Sequence, residues 1–349
     1  MDPVTHALAS LAVARAGQKR LPRFGTSMLI VAGIAPDLDY AAYLGGASVF
    51  LRLHRSLLHS LIGAFLTACV VAGAFCFLDR KQPAKNPAAR LQGKAALAVC
   101  AAGVALHLAF DLLSGVGVNL LWPFHAHWYG MALAENLDPW ILILLIAGIL
   151  LPALFGLVSE EIGERKKGPR GAAAGVITLL LLAGYFGVRA NFRGTAEDLL
   201  LSREYHGREP DTATAFPASA SPFDWRGVVA TDNTIEIVVV ATDNTIEIVN
   251  VPLDPGAEFD SDRSLTYFKP DDSPALEAGE RTPSARRFLS YAQFPLASIE
   301  HSDEGYRLEL RDLRFARDDS SASNILLRVE LGANLEVHDE EFFFASSAP

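Results

Sequence analysis

Apolar residues fall in six long blocks over the first half of the chain and then give way to short alternating runs. The blocks predict helices at about 3 to 17, 25 to 45, 56 to 78, 94 to 113, 138 to 158 and 171 to 189. Most approach the roughly 20 residues needed to cross a bilayer, whereas the first is short enough only to enter it. Asp2 followed by Pro3 reads as a helix cap with proline in the first turn, which places His6 at the start of the first helix. Ala14-Arg15-Ala16 imitates a signal-peptide cleavage site, but no Lys or Arg precedes Arg15, so a retained helix is expected instead.

After Arg189 the period shortens. Residues 190–225 are polar and rich in Ala, Pro and Ser, as in a juxtamembrane linker. Alternation at Ile235 to Val240, Tyr306 to Leu310 and Ile325 to Val329 predicts strands. Val228 to Val238 recurs without change as Val239 to Val249. An 11-residue repeat in one straight strand would turn its two copies to opposite faces. A meander is therefore expected, with turns at Thr231 to Thr234 and Thr242 to Thr245 and each copy giving half a hairpin. The fold class that follows is an α-helical polytopic membrane domain of five to six helices over residues 1–189, the linker over 190–225, and a mainly β domain over 226–349.

Composition and charge sharpen this division. The chain has 349 residues, 50% of them hydrophobic, and a positive mean hydropathy of +0.23. Residues 1–189 carry 16 Lys and Arg against 10 Asp and Glu, and residues 190–349 carry 14 against 30. The second part is therefore acidic, with no basic footprint for nucleic acid. Lys and Arg cluster in alternate connections: Lys19, Arg20 and Arg23, then Arg80, Lys81, Lys85, Arg90 and Lys94, then Arg165, Lys166, Lys167 and Arg170. The connection from 114 to 137 has none. By the positive-inside rule the basic connections are cytoplasmic, and the N-terminus and everything after Arg189 lie outside. Cys69, Cys76 and Cys100 sit inside apolar blocks, as packing residues do.

Against this apolar background the ionisable residues are few and grouped. His107 and Asp111 are four apart and share a helix face. His6 lies in the first helix, Asp37 and Asp39 follow Pro36, and His54, Arg55 and His59 precede or open the third long helix. Pro36 predicts a break in the helix, which lets Asp37 and Asp39 turn the same way. Ser56 as an N-cap would leave His54 in a loop that folds back toward His59. The predicted topology brings all four clusters to one membrane face, the outer one, and packing alone gives no reason for that. Ionisable groups beside bilayer-length apolar segments mark function. Imidazoles mixed with carboxylates are the ligand set for a divalent metal, zinc first, with manganese and iron as alternatives. The expected ligands are His6, Asp37, Asp39, His54, His59, His107 and Asp111, for one metal or two. Asp39 and Arg55 are the expected catalytic groups, Arg55 steadying developing negative charge. His125, His127, Glu135 and Asp138 are secondary: the histidines read equally as interfacial anchors beside Trp122 and Trp128, and Asp138 before Pro139 as a helix cap.

The ordered set Met1-Asp-Pro-Val-Thr-His6, Ala35-Pro-Asp-Leu-Asp39, His54-Arg-Ser-Leu-Leu-His59, His107-Leu-Ala-Phe-Asp111, Trp122-Pro-Phe124 and Asp138-Pro139 resembles the LexA-regulated, membrane-bound, metal-dependent hydrolases, the YdjM-like inner-membrane family. The resemblance covers about residues 1–190. It implies an inner-membrane location and hydrolysis, the latter itself largely inferred for the family. The expected function is hydrolysis with a metal-activated water at the outer membrane interface, with a phosphoester or lipid as the substrate class that the location favours. The alternatives are a proton- or cation-coupled transporter, which would spread ionisable groups through the membrane depth, and a metal-stabilised envelope scaffold. The bilayer is the one expected partner besides a small-molecule or lipid substrate.

Overall fold

The computed structural model describes residues 1–82, 90–125, 127–161, 171–205, 207–218, 221–231, 245–253, 259, 265–268, 270–302, 304–315 and 325–344. The chain forms two compact units, one of residues 1–40 and 54–190, the other of residues 41–53 and 191–349.

The first unit is helical. Helix α1 (Pro3–Gly17) starts as expected, Asp2 accepting from the Val4 and Thr5 N–H groups with Pro3 in the first turn. Helix α2 (Gly25–Ile34) gives way at Ala35 to a 3-10 helix (Ala35–Gly45). Pro36 has no N–H to continue the ladder, which accounts for the expected break. Helices α4 (Leu61–Lys81), α5 (Gly93–Leu113), α6 (Pro139–Glu161) and the first part of α7 (Ala172–Leu201) complete the unit. Four segments, Gly25–Gly45, Leu61–Lys81, Gly93–Leu113 and Ala172–Leu201, are long and apolar enough to cross a membrane, and Pro139–Phe155 is a shorter apolar helix.

These helices meet on small side chains, as membrane helices do where no hydrophobic effect drives association. Ala32, Ala64, Ala68, Ala72, Ala96 and Cys100 share one core with Met28, Val71, Val104 and Leu108. A Cβ on Gly33 would lie 2.1 Å from Ser10 Oγ, and one on Gly103 would lie 2.8 Å from the Leu29 carbonyl oxygen. The absence of those two β-carbons lets the Ser10 side chain of α1 sit against α2 and lets the α2 and α5 backbones touch. Among the described residues the three cysteines form no disulfide, and Cys100 is buried in this packing.

The second unit is mainly β. Strands β1 (Thr212–Pro217), β2 (Asp224–Thr231), β3 (Thr245–Pro252) and β4 (Leu265–Phe268) form one antiparallel sheet in chain order. Helices α8 (Pro274–Glu280) and α9 (Pro283–Tyr291) follow, each opened by a Ser or Thr cap and a proline. Strands β5 (Pro295–Ser302), β6 (Gly305–Asp312), β7 (Ile325–Gly332) and β8 (Val337–Phe344) make a second antiparallel sheet. The runs at 306–310 and 325–329 are thus in strands, with Leu308 and Leu310 fully buried and Arg307 exposed on the other face. Helix α3 (Ala47–Leu53) belongs to this unit, packed on α9 and β8.

Residues 190–225, expected as a linker, are mostly structured. Helix α7 runs on to Leu201, and Ala196 and Leu200 pack against Trp225, Val229, Val249 and Val251 under the first sheet. Their i, i+4 spacing is an apolar stripe that the polar composition of the stretch conceals. In the tandem repeat, β2 and β3 pair so that Val228 faces Ile248 and Thr231 faces Thr245, joining the start of one copy to the end of the other. Ile235 to Val240 and both expected turns fall wholly or mainly outside the described residues.

Candidate metal centre

Five of the seven expected ligands come together, buried, in the helical unit. His6, His107 and Asp111 form one group and Asp37, His59 and His107 a second, the ligand-type atoms of each lying within 4.8 Å of one another. His107 is common to both.

The local sequence explains how each is aimed. His107 and Asp111 are one turn apart on α5, with Nε2 3.3 Å from Oδ2. The other nitrogen of His107, Nδ1, lies 2.7 Å from the Gly33 carbonyl oxygen. In the 3-10 pattern that follows α2, that carbonyl would accept from residue 36, a proline without an N–H, so it is free to hold the imidazole. His59 lies in the turns at 54–59, not on a helix; the cap of α4 is Ser60, which accepts from the Gly63 N–H, and not Ser56. His59 Nδ1 is 3.0 Å from Asp39 Oδ2 and its Nε2 is 3.1 Å from Asp111 Oδ2.

Three atoms therefore converge: His59 Nε2 and His107 Nε2 are 3.0 Å apart, and Asp111 Oδ2 lies 3.1 and 3.3 Å from them. Each Nδ1 lies near an oxygen, the Gly33 carbonyl for His107 and Asp39 Oδ2 for His59; in the tautomer with the protons there, both Nε2 atoms present lone pairs. In that tautomer three electron pairs meet at these distances, and a cation among them removes their repulsion. Ligand atoms 2.0–2.2 Å from a zinc ion stand roughly 3.3 Å apart on a tetrahedron and roughly 3.0 Å on an octahedron. The observed triangle fits a divalent ion of that size.

The neighbouring atoms add capacity. His6 stacks on His107 with ring centroids 3.8 Å apart, its Nε2 3.3 Å from Asp111 Oδ1. Among the described residues neither His6 nitrogen has a hydrogen-bond partner, nor has Asp37 Oδ2. Orphaned buried polar atoms of this kind are rare and call for an explanation such as an ion. Asp37 Oδ1 is 3.8 Å from His107 Nε2.

The remaining expected residues hold other places. Asp39 lies outside both ligand groups, held by His54 Nδ1 at 3.0 Å, by His59 Nδ1 and by the Arg55 N–H at 2.8 Å. Carboxylates so placed set the tautomer and angle of a metal-binding imidazole. His54 is Asp39's partner, its ring tilted against that of Tyr40 with centroids 4.5 Å apart; it too lies outside both groups. Arg55, expected to meet an anion, is only 2% exposed. Its Nη1 donates to Ser114 Oγ and the Gly117 carbonyl, and its Nη2 to Asn136 Oδ1, with Asp111 Oδ1 3.5 Å away. A side chain enclosed by protein acceptors does not offer a planar fork to substrate. His125 and His127 are exposed, and His127 packs edge-on to Tyr129. Glu135 is half-buried, in neither group. Asp138 caps α6 through the Trp140 and Ile141 N–H groups and accepts from the Tyr185 hydroxyl, the expected structural role.

The sequence reading missed Ser114, Gly117 and Asn136 around Arg55, the Gly33 carbonyl behind His107, and the Met1 amino group on Asp111 Oδ1. Backbone carbonyls leave no residue-type signature, and Ser114 and Asn136 are common loop residues.

With the fold and the converging histidines and carboxylates described, comparison with known proteins places the chain. No curated protein and no solved structure matches it. The family model described as YdjM inner membrane protein matches residues 1–192, which takes in every residue of the two ligand groups. The chain belongs to the YdjM inner membrane protein family and is a multi-pass membrane protein.

Proposed function

We propose that the protein is a membrane-bound metal-dependent hydrolase, its site built by His6, Asp37, His59, His107 and Asp111. The observation that carries the reading is the triangle of His59 Nε2, His107 Nε2 and Asp111 Oδ2, three ligand-type atoms 3.0–3.3 Å apart. The two imidazoles and the carboxylate leave coordination positions open, the mark of a catalytic site, not a closed structural one. A divalent ion held there, zinc before manganese or iron, supplies a water acidified toward neutral pH and polarises a phosphoryl or acyl oxygen. Charge supports the cation: the cluster holds three carboxylates, Asp37, Asp39 and Asp111, against two cationic groups, the Arg55 guanidinium and the Met1 amino group, a net negative site when the imidazoles are neutral.

The chain's own groups then divide the work. Asp39 holds His59, and the Gly33 carbonyl holds His107, so both Nε2 atoms stay aimed at one point. Asp37, at 9% the most exposed of the five, keeps Oδ2 without a hydrogen bond, and it is the carboxylate with capacity to take a proton from an attacking water. The clustering of ionisable groups in one place, not along the membrane depth, favours this over transport. The test is metal analysis of detergent-purified protein, followed by assays on soluble phosphoesters and on lipids with and without chelator. Bound metal with chelator-sensitive turnover supports the reading; metal-replete protein that holds none overturns it.

The same reading puts the site and the acidic second unit outside the cell membrane, from the alternation of basic connections and the 30 acidic residues after position 189. Engineered cysteines at His125 and Glu300, both exposed, are expected to react with an impermeant reagent applied to intact spheroplasts. Cysteines at Arg20 and Lys81 are expected to react only after lysis. The reverse pattern would invert the orientation.

A further inference from the structure

Arg55, like His59, touches both Asp39 and Asp111, and it does so in two different ways. Its backbone N–H donates to Asp39 Oδ2 at 2.8 Å, while its guanidinium stands 3.5 Å from Asp111 Oδ1. Its carbonyl oxygen accepts from the Asn119 N–H at 2.9 Å, so the connection after α5 is tied to the same residue. The backbone at Arg55 is left-handed, with φ +53°, a conformation that costs a non-glycine residue about 1 kcal/mol or more and persists only where its surroundings fix it. Here the fixing contacts are Ser114, Gly117 and Asn136, which fill the guanidinium's two terminal nitrogens. Asp111 is divided by atom: Oδ1 faces the Met1 amino group, His6 Nε2 and the Arg55 guanidinium, and Oδ2 faces the Nε2 atoms of His59 and His107.

We propose that Arg55 is a positioning residue, which turns Asp111 so that Oδ2 alone serves the metal, and that it does not bind the substrate's anionic group. The proposal rests on the metal-dependent reading above. A guanidinium fits the task better than an ammonium because its planar fork is held by several acceptors at once. Losing it leaves Oδ1 to the Met1 amino group and His6, which loosens the carboxylate's orientation and alters the ion's geometry before any substrate arrives.

Cobalt(II) loaded into the detergent-purified full chain reads this directly, since its visible absorption reports ligand number and geometry. Arg55→Gly is the discriminating variant, because glycine adopts the left-handed backbone without strain and keeps the N–H to Asp39. Cobalt affinity is expected to fall about 10–100-fold, the usual effect of losing an outer partner of a ligand, with an altered spectrum. Millimolar guanidinium ion should restore both in part. Arg55→Lys should show the altered spectrum with a smaller loss of affinity. Asn136→Ala, which loosens the guanidinium from an exposed position and leaves the fold intact, should shift both readouts in the same direction and decides the matter should Arg55→Gly fail to fold. Inorganic phosphate is the anion probe. Unchanged cobalt affinity and spectrum in the variants, with a loss only of the spectral response to phosphate, would show Arg55 to be an anion-binding group and overturn the proposal. A wild-type chain that binds no cobalt would overturn the metal-dependent reading and this inference together.

Discussion

Replacing His107 with alanine is expected to strip the protein of its bound divalent metal. His107 is the member common to both ligand groups, and its Nε2 stands 3.0 Å from that of His59 and 3.3 Å from Asp111 Oδ2. Its loss should therefore weaken binding by more than the roughly 10–100-fold that follows removal of an outer partner. Elemental analysis of metal-replete protein measures this, and thermal unfolding gives a second readout. A ligand held at 100 times its dissociation constant stabilises the native state by about 2.7 kcal/mol. Chelator should accordingly lower the unfolding temperature of the wild type and leave that of His107→Ala unchanged. Equal metal content in the two proteins would remove His107 from the ligand set.

Gly63→Val is expected to disturb the same site without touching any ligand. Gly63 lies in the first turn of α4, and a Cβ there would come 1.8 Å from the Leu57 carbonyl oxygen and 3.0 Å from the Leu58 Cα. Both contacts are backbone of the turn segment that delivers His59, so no side-chain rotation relieves them. Overpacking of this kind costs about 1–3 kcal/mol where the neighbours are side chains, and more where they are main chain. The expected result is a lower unfolding temperature together with reduced metal occupancy. A variant with full occupancy and wild-type stability would show that the turn is not packed against α4 as described.

Both predictions show what was legible beforehand. The four clusters were found from residue type alone, because charged and imidazole side chains in apolar helices have no ordinary reason to be there. Pro36 announced the break that turns Asp37 and Asp39 inward, and Asp2-Pro3 announced α1. The division of those residues into ligands and supports was not legible. Asp37 and Asp39 look alike in the sequence, and only the three contacts around Asp39 separate them. Arg55 reads as an anion-binding residue in one dimension, which cannot show the protein acceptors Ser114, Gly117 and Asn136 around its guanidinium. In the second unit, alternation gave the strands of the last sheet, while the stripe of Ala196 and Leu200 was masked by the polar residues around it.

The assignment of residues 41–53 has a consequence for how the protein is made. This segment lies between Asp39 and His54, yet its helix α3 packs on α9 and β8, elements of the unit completed near residue 344. During synthesis the segment emerges among the first fifty or so residues and waits for partners nearly 300 positions downstream. Contacts so distant in sequence are slow to form. A nascent chain arrested before β8 therefore has its membrane helices but an unanchored stretch between Asp39 and His54, and a single cut after residue 190 cannot separate the two units cleanly.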